Sequence, residues 1–152
     1  MGIYSEKAVD NFKKGYNCAQ SVFLAFASEV GFDEETALKL SSSFGGGMGR
    51  LREVCGAVTS MFAIAGLKQG YTSPTDDDIK AKHYEFIQYL GKKFKDEYDT
   101  IICRELLELS DGADSPIPSK RTDEYYAQRP CELFIKHAAE IIESEILGLI
   151  HK

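Results

Sequence analysis

Pro130-Cys131-Glu132-Leu133-Phe134-Ile135-Lys136-His137-Ala138-Ala139-Glu140-Ile141-Ile142 is the stretch whose reading decides the fold. From Cys131, the apolar residues Ile135, Ala138, Ile142, Ile146 and Leu149 recur at three- and four-residue intervals, as on one helix face turned toward a core. Pro130 presets the backbone just ahead of the first turn, so the spacing predicts a helix from Cys131 to about Leu147. Similar segments lie upstream. They run over 3–14 before Gly15, from Cys18 to Val30 after Asn17, from Glu34 to Ser43 after Asp33, and from about Glu53 to Gln69. Another follows Ser73-Pro74-Thr75, carries Asp76, Asp77 and Asp78 in its first turn and reaches about Lys95; a sixth starts at Asp99 or Thr100 and stops before Gly112. Good N-caps and first-turn acids sit where the helix dipole favours them. Segment 111–130, with Pro116, Pro118 and Pro130, reads as a long polar connection with one short turn near Asp123–Tyr126. No period-two alternation bounded by turns appears. The expected fold is all-α: a single-domain bundle of six to seven helices over residues 1–152.

The 152 residues can bury a real core, and a composition 43% hydrophobic and 28% charged suits a globular chain. A net charge of −6 with no basic stripe argues against nucleic-acid binding. No run approaches the length of a membrane span, and Met1-Gly2-Ile3-Tyr4-Ser5-Glu6-Lys7 lacks the basic start and apolar run of a secretory signal. The chain therefore reads as cytoplasmic. In a reducing compartment, its four cysteines are better explained as thiols, metal ligands or a switching disulfide than as permanent staples.

Those cysteines, Cys18, Cys55, Cys103 and Cys131, all fall within about the first turn of a predicted helix. Unpaired N–H groups and the helix dipole favour the thiolate there, so a lowered pKa is expected. Each also shares an apolar face: Cys18 with Val22, Ala25 and Phe26, Cys55 with Val58, Thr59 and Phe62, Cys103 with Leu106 and Leu107. A lone cysteine on such a face is ordinarily a small hydrophobe. Inert packing, however, has no reason to prefer four helix starts. The gaps of 37, 48 and 28 residues exclude a CxxC motif, so any common site must be assembled by the fold.

Phe44-Gly45-Gly46-Gly47-Met48-Gly49-Arg50 must be a loop, because glycines are costly inside a helix. It lacks a phosphate-loop pattern and reads as a tight connection that lets backbone approach Cys55. The N–H groups of Gly45, Gly46, Gly47, Gly49 and Gly56 are candidates to support sulfurs or a bound cluster. Arg50, Arg52 and Arg104 lie near Cys55 and Cys103 and either support thiolate charge or are solvated. His83, His137 and His151 have no ligand spacing and read as surface residues. The Tyr125-Tyr126 pair either lids the site or, on the favoured reading, packs onto the bundle.

Gly15-Tyr16-Asn17-Cys18-Ala19-Gln20-Ser21-Val22, the glycine loop, and Val54-Cys55-Gly56-Ala57-Val58-Thr59 together resemble the C_GCAxxG_C_C family of redox-active proteins. Cys103-Arg104-Glu105-Leu106-Leu107 and Cys131 supply that family's third and fourth cysteines, and the likeness spans nearly the whole chain. It implies redox chemistry at Cys18, Cys55, Cys103 and Cys131, with an iron–sulfur cluster suggested for some members. One departure is Ser60, where the motif ends in glycine.

Three chemistries remain open. The four thiolates hold an iron–sulfur cluster for electron transfer, or two of them form a metal-free thiol–disulfide switch, or they bind structural zinc, which ranks lower because zinc ligands usually come in close pairs. The redox readings imply a partner protein that exchanges electrons, as a carrier or an oxidoreductase component. Self-association is left open.

Overall fold

A computed structural model describes residues 2–109 and 112–149. Among them stand eight α-helices and no strand. The helices are α1 (Ile3–Lys13), α2 (Cys18–Ala25), α3 (Glu34–Ser42), α4 (Gly56–Gln69), α5 (Asp77–Tyr98), α6 (Cys103–Leu106), α7 (Asp123–Gln128) and α8 (Cys131–Ile141). A 3₁₀ turn, Ala27–Val30, extends α2, and a π turn, Ile142–Ile146, extends α8. The all-α expectation holds; the count passes seven because the short turn read near Asp123–Tyr126 is a six-residue helix, α7. His151 lies outside the described residues.

α2 is the hub. It packs against α1, α3, α4 and α8, while the long α5 lies along α4 and α8. Phe12, Phe23, Phe26, Phe94, Met61, Ile64 and Ile135 are fully buried among these helices. The apolar stripe of α8 holds through Ile135, Ala138 and Ile142, but Leu149 is 41% exposed. Ile146 still packs on the core, so the stripe fails only beyond the π turn, Ile142–Ile146. His137 is not a surface histidine: its ring packs on Phe94 and Tyr98, with centroids 5.6 and 5.4 Å apart.

Two helix starts fall later than the periodicity predicts. α4 begins at Gly56 rather than Glu53, and the sixth helix at Cys103 rather than Asp99 or Thr100. The intervening residues pair with each other. Val54 and Ile102 form an isolated antiparallel bridge, in which Cys55 N–H donates to Ile101 O at 2.8 Å and Cys103 N–H to Glu53 O at 2.6 Å. Asp99, left-handed at φ 68°, terminates α5, and the β-branched Thr100, Ile101 and Ile102 then favour an extended path. The bridge puts two distant cysteines on neighbouring strands of backbone.

Candidate functional site

Asn17 sets the position of Cys18 through a capping box. Its carboxamide oxygen accepts from Gln20 N–H at 2.8 Å, while Gln20 Oε1 accepts from Asn17 N–H at 3.2 Å. Asn17 Nδ2 also donates to Ser42 O at 3.1 Å, anchoring the start of α2 to the end of α3. Cys18 is thus the first residue of α2, Cys103 the first of α6, Cys131 the first of α8, and Cys55 the N-cap of α4. Cys55 and Cys103 are buried, Cys18 and Cys131 half-buried, and all four are free thiols.

All four line one cavity of about 200 Å³. Gly45, Gly46 and Gly56 line it as well, whereas Gly47 and Gly49 do not. Gly47 acts from behind: it is left-handed at φ 68°, and a Cβ there would lie 2.6 Å from Cys103 Cβ. Gly56 is tighter still, since a Cβ would meet the Cys18 sulfur at 2.6 Å and Phe44 O at 2.7 Å. Backbone N–H groups of Gly46, Gly56 and Ala19 favour the thiolate of Cys18, and those of Val58 and Ala57 that of Cys55. Gly45–Met48 closes as a short helical turn, but its middle glycines are left-handed, as the loop expectation requires.

Three arginines near the cysteines differ in role. Arg52 is 4% exposed and left-handed at φ 60°. Its Nη1 donates to Cys103 Sγ at 3.5 Å, and its Nη2 to Asp114 Oδ2 at 2.9 Å. Burial works against the charge of Arg52, but Cys103 and Asp114 outweigh it and hold the guanidinium protonated. In return, the hydrogen bond from Arg52 keeps Asp114 below the usual carboxylate range. Arg50 shares that carboxylate at 3.3 Å, whereas Arg104 turns to Glu53 and does not line the cavity.

The expected lowering of the thiol pKa is reversed at three positions. Burial pushes Cys18 up, against hydrogen bonds from Gly46 and Gly56, and the charge on Cys103 adds to the rise. Cys55 is driven well above its ordinary range by burial and then by Cys18. Cys131 is pushed up to about 12 by burial, with Cys18 and Cys103 adding to it and Arg129 and Arg52 opposing. The helix-start N–H groups do favour the thiolate, but its desolvation in a shared pocket outweighs them. Without a cation between them, Cys18, Cys55 and Cys131 are protonated at neutral pH. Among the described residues, no three His, Cys, Asp or Glu side chains are gathered tightly enough to hold a single metal ion.

The polar connection roofs the cavity through Pro118, Ser119, Arg121, Tyr125 and Arg129. Tyr125 faces the cavity, while Tyr126 packs edge-on against Phe12 at 5.6 Å, so the two tyrosines divide the lid and packing roles. Arg121 and Arg129 had no signal beyond flanking that pair in a polar segment.

Residues 16–145 match the family described as "Putative redox-active protein (C_GCAxxG_C_C)". The chain belongs to this family. The C_GCAxxG_C_C match takes in all four cysteines and the glycine turn. No curated protein and no solved structure matches the chain. Ser60, the departure from the family motif, is buried and donates to Ala19 O at 2.7 Å, so its hydroxyl joins α4 to α2 where a glycine would only permit contact.

Proposed function

We propose that this redox-family protein binds an iron–sulfur cluster through Cys18, Cys55, Cys103 and Cys131 and works in electron transfer. The observation that carries the reading is that one cavity, about 200 Å³ in volume, is walled by all four thiols and, among the described residues, by no carboxylate or imidazole. The sulfurs surround a space rather than crowding one point, which suits a group with volume of its own. When bound, such a cluster supplies a site that gains and loses single electrons.

The chain's own residues provide the rest of the chemistry. Backbone N–H groups at the starts of α2 and α4 are aimed at Cys18 and Cys55 and would stabilise their ionised form. Arg52 places a buried positive charge on Cys103. Val54–Ile102 pairing keeps Cys55 and Cys103 in register, and Phe12 and Phe134 help keep water from the sulfurs. The same thiols, held protonated by burial, would give up protons on loading if a cationic group were bound between them.

Anaerobic purification and reconstitution with iron and sulfide test this. The expected product is brown, with bound iron and acid-labile sulfide in comparable amounts. Zinc without sulfide would replace the cluster by a structural metal site; a colourless, metal-free protein that loses two thiols on oxidation would replace it by a disulfide switch.

A further inference from the structure

Only five of the 18 basic residues are arginine. Four of those five, Arg50, Arg52, Arg121 and Arg129, line the sulfur cavity, and no lysine, aspartate or glutamate does so among the described residues. A lysine could supply a point charge anywhere around the rim. An arginine adds a planar fork of N–H donors that matches two oxygens held side by side, and it tolerates partial burial and stacking on rings.

The four divide into two pairs. Arg50 and Arg52 share Asp114, so part of their charge is already met. Arg121 and Arg129 form no ion pair with any described carboxylate. Both guanidiniums stand over the Tyr125 ring, 5.0 and 5.6 Å from its centroid. Arg121 is fixed by Nη1 donating to Phe12 O at 3.1 Å and Tyr126 OH at 3.4 Å and by Nη2 donating to Tyr16 O at 3.0 Å, which leaves the Nε–H and one Nη2 N–H. Arg129 has no side-chain hydrogen-bond acceptor among the described residues. In a chain of net charge −6, these two half-buried guanidiniums, held against one tyrosine in a cavity wall, have no described carboxylate to neutralise them.

We infer that the Arg121–Arg129 pair captures a small oxyanion, planar carboxylate or tetrahedral, as the ligand handled beside the four sulfurs. The site shares its cavity with the four sulfurs of the redox reading, but binding itself needs no iron.

Calorimetric titration of the metal-free, reduced protein with sodium sulfate and with sodium acetate, each against chloride at equal ionic strength, tests the site. At least one anion should bind saturably with one site per chain. Sulfate preference marks a tetrahedral ligand and acetate preference a carboxylate. Arg129→Met should weaken binding by about tenfold or more, as expected for loss of a charge-assisted bond. Arg129→Lys should fall between, because it keeps the charge and loses the fork. Lys120→Met, in the same connection but outside the cavity lining, should bind as the parent does. Equal affinity of Arg129→Met and the parent, or no saturable binding of either anion over chloride, overturns the proposal. Iron content after reconstitution is read separately: anion binding by a protein that takes up no cluster leaves this site standing and removes only the redox assignment.

Discussion

A methyl group at position 56 would lie 2.6 Å from the Cys18 sulfur and 2.7 Å from Phe44 O, with backbone on one side and a site thiol on the other. Gly56→Ala should therefore cost about 1–3 kcal/mol by overpacking. It should also lower iron uptake on reconstitution, which chemical denaturation and iron analysis report separately. Titration of the thiols gives a second prediction. The Cys131 thiol, ordinarily near 9.0, is held at about 12 in the folded protein. Between those values the folded state keeps a proton that the unfolded state loses, so stability is intact below about pH 9 and falls as pH rises toward 12. The thermal midpoint of the reduced, metal-free protein should drop across that range, less steeply in Cys131→Ser; an equal slope in the two would show that Cys131 does not titrate this way. The cysteines were legible because few residue types respond to a helix start as sulfur does. Their ionisation was not legible, since it depends on burial and on other cysteines far along the chain, such as Cys18 acting on Cys131.

Helices were readable wherever an apolar period and a cap coincided, as at Asn17, Asp33 and Asp76, each of which accepts from a first-turn N–H. The Val54–Ile102 bridge was not. Three β-branched residues are too few to announce a strand, and their partner lies far along the chain. Ser60 makes a point about α4. Replacing it with the family's glycine removes the bond to Ala19 O and adds backbone freedom to a helix interior. The two effects should together cost roughly 2 kcal/mol, read as a lower thermal midpoint. A Ser60→Gly protein as stable as the parent would mean that the hydroxyl contributes nothing to the α2–α4 contact. Asn17→Ala should cost about 1 kcal/mol through the lost cap. Because Cys18 follows directly, it should reduce cluster loading as well, which separates this cap from those at Asp33 and Asp76.

Across the whole molecule, α2 lies at the centre, and the helix starts that carry sulfur open onto a single cavity beneath the 112–130 connection. Among the described residues, no helix is long and apolar enough to cross a membrane. The bundle could be inferred from periodicity, whereas the roof could not, because Arg121, Tyr125 and Arg129 act only once that connection folds back over the sulfurs. Four single Cys→Ala variants, reconstituted anaerobically beside the parent and assayed for iron and sulfide per chain, test the shared site most directly. The account predicts a loaded, coloured parent and a marked loss of cluster in every variant. A parent that stays colourless, or any one variant that keeps the full iron and sulfide content, would contradict it.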